Sequence, residues 1–75
     1  MKLDATPWAR DALTPEDRAE IFAAGPHHGR AMVSRDGRGG MFRVAITHAE
    51  PGTVQQGYGA SPIAAFRVAL AKVPA

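Results

Sequence analysis

Met41-Phe42-Arg43-Val44-Ala45-Ile46-Thr47-His48 alternates two kinds of side chain. In an extended backbone successive residues point to opposite faces, so Phe42, Val44, Ile46 and His48 share one side. Met41, Arg43, Ala45 and Thr47 share the other. Aromatic and β-branched residues suit a pleated, half-buried surface, and here they fall on the first side. The stretch therefore predicts a strand whose Phe42-Val44-Ile46 face belongs to the core. Upstream, Asp36-Gly37-Arg38-Gly39-Gly40 supplies residues that tolerate the positive φ of a hairpin turn. Arg30 to Arg35, before that turn, reads as the preceding strand. Downstream, Glu50-Pro51-Gly52 is a second turn signal. Thr53 to Tyr58 then reads as a third, more polar strand with Val54 and Tyr58 on one side.

Helices are expected on both flanks of these strands. Three Ser/Thr-Pro pairs occur, at Thr6-Pro7, Thr14-Pro15 and Ser61-Pro62. In each, a hydroxyl can accept from the first free N–H groups, and proline has the fixed φ that suits the first helical position. Asp17, three residues after Thr14, completes a capping-box variant. That helix is expected from Pro15 to about Ala24, where Gly25 and Pro26 stop it. Residues 7–12 are expected to form a short helical turn with Trp8 and Leu13 packed inward. After Ser61, the residues Ile63, Phe66, Leu70 and Val73 repeat at helical spacing, widened by Ala69. Lys72 lies off this stripe, where it suits the negative end of the helix dipole.

The expected fold is thus a single α+β domain, residues 1–75, in the order α-β-β-β-α. A three-stranded antiparallel meander offers one apolar face, and the N-terminal and C-terminal helices cover that face. A chain of 75 residues buries only roughly 60% of the surface its unfolded form exposes. Small domains often compensate with disulfides, a metal or a partner subunit. There is no cysteine, so a homodimer enters the expectations.

Composition narrows the classes. No apolar run approaches the roughly 20 residues of a membrane span. The polar start, Met1-Lys2-Leu3-Asp4, is unlike a signal peptide. A cytoplasmic, membrane-free protein is expected. Alanine fills 15 of 75 positions and arginine outnumbers lysine seven to two, the bias of a GC-rich gene. The net charge of +2 conceals an asymmetry. Residues 1–24 carry three basic and five acidic side chains, whereas residues 25–75 carry six basic and two acidic ones. A basic segment favours an acidic protein surface or nucleic acid.

No constellation points to catalysis or to a cofactor. His27-His28 are adjacent and so diverge, and no cysteine or nearby carboxylate completes a metal site. His48 reads as a strand-end histidine near the rim of the core. Ser34 and Ser61 have a strand position and a cap to fill, with no oriented base beside them. Gly57-Tyr58-Gly59-Ala60-Ser61 lacks the spacing of a phosphate loop, and Pro62 removes a donor such a loop uses. Its glycines are read as serving close packing or unusual φ. The feature most suited to contact is the hairpin bearing Arg35, Arg38 and Arg43, with Arg30 at the strand start. Arginine forks match carboxylates and phosphates bidentately.

Phe42-x-Val44-x-Ile46, then Gly57-x-Gly59-x-Ser61, then Ala65, Ala69 and Leu70 resemble the second half of a double-stranded RNA-binding domain. The resemblance covers residues 42–73 and implies the same sheet and closing helix. The lysines with which that family grips phosphates are replaced here by Pro62, Ile63 and Phe66. Gly25-Pro26-His27-His28 resembles the family's Gly-Pro-x-His loop but stands before the first strand. In kind, a short α+β chain without a catalytic site is also similar to phage and mobile-element accessory proteins such as anti-CRISPR proteins. That likeness implies an inhibitor that blocks a host protein or ribonucleoprotein complex. A nucleic-acid-binding module with a degenerate double-stranded RNA-binding fold is the alternative expectation.

Overall fold

The structure, a computed structural model, describes residues 1–24, 29–36, 40–48 and 53–73. In chain order they form β1 (Lys2–Ala5), α1 (Pro7–Arg10), α2 (Pro15–Ala23), β2 (Arg30–Arg35), β3 (Phe42–Thr47), β4 (Val54–Gly59) and α3 (Pro62–Ala71). The strands lie in one sheet in the order β1-β2-β3-β4. The pairs β2–β3 and β3–β4 are antiparallel, as the turn signals predict. The α+β class holds, but the three-stranded antiparallel sheet does not. A fourth strand, β1, pairs in parallel with β2, so the sheet is mixed and the order is β-α-α-β-β-β-α. Only four residues form β1, too few for alternation to stand out from background. Its partner lies beyond both N-terminal helices, so no turn signal announces the pairing.

The sheet has one covered face and one open face. Ala31 and Val33 of β2 and Val44 and Ile46 of β3 are fully buried, as the alternation of β3 requires. Register sets Ala31 opposite Ile46 and Val33 opposite Val44. Ala9, Ile21, Ala65, Phe66 and Ala69 from the helices, with Leu13 from the segment between α1 and α2, complete the core on that one face. Phe66 is the largest fully buried side chain and contributes about 1.5–3 kcal/mol by leaving water. The expected stripe on α3 is rotated: Pro62, Ala65, Phe66 and Ala69 are buried, while Ile63, Leu70 and Val73 pack at the margin.

Capping follows the sequence at two of three sites. The Thr14 hydroxyl accepts from the Asp17 N–H at 3.0 Å, and the Asp17 carboxylate accepts from the Thr14 N–H at 3.1 Å. The Ser61 hydroxyl accepts from the Ala64 N–H at 3.2 Å. Thr6 differs, because its hydroxyl oxygen is buried without a hydrogen-bond partner. The Thr6 N–H donates to the Val33 carbonyl at 3.0 Å, so this residue continues the β1–β2 ladder while starting α1. Trp8 also departs from expectation. The inward residues here are Ala9 and Leu13, and Trp8 points away at 79% exposure. With α1 only one turn long, a single residue can face the sheet, and the small Ala9 takes that place. Gly25, Pro26 and residues 37–39 and 49–52, on which the helix stop and most of the expected turns fall, lie outside the described residues. Gly40, at the end of the first turn, has the positive φ of +70° that its sequence foretold.

β4 and α3 approach each other closely. A Cβ on Gly57 would stand 2.4 Å from both the Ala65 carbonyl oxygen and the Ala69 nitrogen. One on Gly59 would stand 2.7 Å from the Ala65 nitrogen. The glycines at the strand end therefore serve close approach, and α3 rests on bare backbone. On the far side of α3, Arg67 grips Glu20 of α2, its Nε and Nη2 donating to the two carboxylate oxygens at 2.9 and 2.8 Å. This fork links the two long helices across the top of the core.

Two outcomes follow from these contacts. Gly57→Ala must push helix backbone away and should cost about 3 kcal/mol or more. A domain of this size holds only about 4–11 kcal/mol, so urea titration should find the variant partly or wholly unfolded. Gln56→Ala, on the outward side of the same strand, should stay within about 0.5 kcal/mol of wild type. Secondly, the hydrogen bonds from Arg67 hold the Glu20 carboxyl below its ordinary range, against a smaller opposing effect of desolvation. Stabilisation from this pair is present above the unfolded carboxyl pKa and is lost as pH falls through the lower folded value. Glu20→Gln should flatten that part of the acid-unfolding profile measured by circular dichroism.

Candidate binding surface

The residues that alternate away from the core form the open face. Lys2 and Asp4 of β1, Arg30, Met32 and Ser34 of β2, Arg43, Ala45 and Thr47 of β3, and Val54, Gln56 and Tyr58 of β4 all belong to it. No described helix lies over this side; the helical members of the core all pack with its covered face. Register arranges the face in rows. Arg30 lies between Lys2 and Thr47, Met32 between Asp4 and Ala45, and Arg43 between Ser34 and Tyr58. Lys2, Arg30 and Arg43 against Asp4 leave the face with a net charge of +2.

Backbone hydrogen bonding determines how close Arg43 and Tyr58 come. The His48 N–H donates to the Thr53 carbonyl at 3.1 Å, making that a hydrogen-bonded pair. Pair types alternate along an antiparallel ladder, so Arg43 opposite Tyr58 is a non-hydrogen-bonded pair, the type with the shorter Cα separation of about 4.5 Å. An arginine and an aromatic ring thus stand side by side on open sheet. Tyr58 is 43% exposed, and its hydroxyl donates to the Gln56 side-chain oxygen at 3.4 Å. Arg30 approaches Asp4 at 3.6 Å, a loose and exposed pair. Neither the Arg43 guanidinium nor the Lys2 ammonium has a hydrogen bond or ion pair within the described residues.

Of the four arginines named from sequence, the three among the described residues do not form one cluster. Arg30 and Arg43 reach the open face at opposite ends of the β2–β3 ladder. Arg35 alternates to the other side, where its guanidinium carbon lies 5.8 Å from the centre of the Phe42 ring. Register pairs these two residues directly, and Phe42 is the half-buried rim of the core. Arg35 is therefore partly occupied in shielding that ring. Arg38 lies outside the described residues. The signals missing from the sequence were the register, which joins Arg43 to Tyr58, and β1, which adds Lys2 and Asp4.

His48 is buried on the core side with its Nε2 unpartnered. Among the described residues no three histidine, cysteine or carboxylate groups gather as a metal set. No described helix is long and apolar enough to cross a membrane. His27 and His28 lie outside the described residues. Pro62 and Phe66 are both buried. No family model, curated protein or solved structure matches this chain.

The two exposed arginine environments should separate in a stability measurement. Arg35→Ala removes a cation–π contact and should cost about 0.5–1 kcal/mol. Arg43→Ala removes nothing that the fold uses and should change stability by less than about 0.5 kcal/mol. Parallel thermal melts of the two variants check the contrast.

Proposed function

We propose that this chain is a non-enzymatic binding protein that attaches to an acidic surface of a host protein or ribonucleoprotein complex and blocks it. The observation that carries this reading is the uncovered sheet face, where Lys2, Arg30 and Arg43 stand against a single carboxylate. Both longer helices are spent on the opposite face, so the open one is surplus to folding. Arg43 and Tyr58 belong to the residue types that anchor interfaces, where arginine and tyrosine are enriched. Met32 and Val54 add apolar area at the centre and edge of the same face. The mode of action resembles that of small inhibitors from phages and mobile elements, such as anti-CRISPR proteins, which act by occupying a surface.

A second reading has a specific observation in its favour. An aromatic ring beside an arginine on an open antiparallel ladder is an arrangement on which bases of a single strand can stack. It would bind nucleic acid through the sheet. The route of the double-stranded RNA-binding family runs instead through helix lysines, whose places Pro62, Ile63 and Phe66 take here.

Lys2→Glu with Arg43→Glu converts the charge of the face from +2 to −2 without touching the core. Wild-type chain used as bait in a bacterial lysate should capture a protein or ribonucleoprotein identified by mass spectrometry. The double variant should capture it at least tenfold less well, with an unchanged melting curve. Equal capture would remove the face from the mechanism. A gel-shift series with single-stranded and duplex RNA and DNA decides between the readings. Tight binding to naked nucleic acid that weakens steeply with salt would favour the second.

A further inference from the structure

The outer edge of β4 carries its own information. The hydrogen-bonded pairs with β3 fall at Gln55 and Gly57, given the His48–Thr53 bond and the register. The intervening residues Val54, Gln56 and Tyr58 consequently turn both N–H and C=O away from the sheet. One of those groups shows this directly. The Lys72 ammonium, from the end of α3, donates to the Gln56 carbonyl oxygen at 2.8 Å. No strand among the described residues pairs with this edge. Val54-Gln55-Gln56-Gly57-Tyr58-Gly59 contains no charge and no proline, the devices that ordinarily discourage edge pairing. Among the described residues, Lys72 is the one such device seen to reach this edge.

We infer that β4 is a homodimerisation strand, pairing antiparallel with β4 of a second copy, and that Lys72 opposes the pairing by occupying the Gln56 carbonyl. The inference does not depend on what the open face binds. A two-fold axis at Gln56 sets Gln56 against its own copy and Val54 against Tyr58 of the other chain. All three pairs fall where N–H and C=O both point outward, so each is a full hydrogen-bonded pair. Val54 and Tyr58 are 44% and 43% exposed, and the symmetry places this β-branched residue beside the aromatic ring, a favourable cross-strand combination. On the helix side, Ala64, Val68 and Lys72 recur every four residues and so form one stripe of α3. Lys72 contacts β4 from this stripe, which locates Val68, 44% exposed, along the same edge.

Charge and area support a second copy as the occupant. Each copy carries +2 overall, and the basic residues Arg30 and Arg43 sit on the interior strands, so the uncharged β4 strands, once Lys72 is displaced, are where like chains approach with least repulsion. Six residues of strand extend about 20 Å, and with the α3 stripe beside them the strip offers on the order of 400 Å² per partner. A standard stable interface uses about 800 Å² per partner. The dimer is therefore weak and concentration-dependent, and loss of one charged competitor shifts it measurably.

Sedimentation velocity on the full chain, from low micromolar to near-millimolar concentration, tests this. Lys72→Met should dimerise about tenfold more tightly than wild type, as expected for removing a charge-assisted hydrogen bond that the dimer must break. Lys72→Arg, which keeps a donor, should behave as wild type. Val54→Lys alone should abolish the dimer, and Val54→Lys with Tyr58→Glu should restore it, because residues 54 and 58 face each other across the axis. Gln56→Pro should also abolish it, since that N–H points outward and serves no bond of the fold. Circular dichroism confirms that each variant is folded. A Lys72→Met chain that stays monomeric, or that dimerises no better than wild type, overturns the inference. So does a dimer insensitive to both Val54→Lys and Gln56→Pro.

Discussion

The fold depends on a contact without side chains on the strand side. Gly57 and Gly59 let α3 settle onto β4 at a distance that any Cβ would prevent. Ala65 and Ala69 complete the fit from the helix, so a run that looks compositionally bland is a matched pair of small surfaces. Closeness here lets α3 lie against β3 as well as β4, with Phe66 buried in the core and Ile63, Leu70 and Val73 packed at its margin. It also draws the end of α3 down to the level of the strand, which is why Lys72 can find the Gln56 carbonyl.

Because the helices gather on one side, the opposite side is defined by what folding leaves over. Each strand contributes alternate residues to it, and their identities are unconstrained by packing. That freedom is where chemistry can accumulate, as in the neighbouring Arg43 and Tyr58. The surface is mixed rather than uniformly basic, with Met32 and Ala45 near its centre and Asp4 toward β1.

Much of this was legible from residue order. The strand at Phe42–Thr47, its face, its two antiparallel neighbours and the Thr14 and Ser61 caps are local consequences of alternation and side-chain hydrogen bonding. The failures were non-local. β1 is four residues long, and its parallel partner lies two helices away, so nothing nearby marks it as a strand. Trp8 was assigned inward because large aromatic rings usually bury, yet a one-turn helix has room for only one inward residue. Arg35 and Arg43 belong to one basic hairpin in the sequence, but the register pairs Arg35 with Phe42 and Arg43 with Ser34, which sends the two arginines to opposite faces. Alternation gives faces; register, which only the folded ladder supplies, gives neighbours.

The unequal spacing of the strands has a kinetic side. Six residues separate β2 from β3, and six separate β3 from β4, whereas twenty-four separate β1 from β2. Fourfold more chain adds about 1.2 kcal/mol of closure entropy before the parallel ladder forms. The two hairpins can therefore zip first and receive α3, with β1 docking as the last strand. Until it does, the β2 backbone is a bare template at the edge of a nascent three-stranded sheet. The brevity of β1 and the polarity of Lys2 and Asp4 then acquire a second meaning, as the cover that closes a sticky margin late in folding.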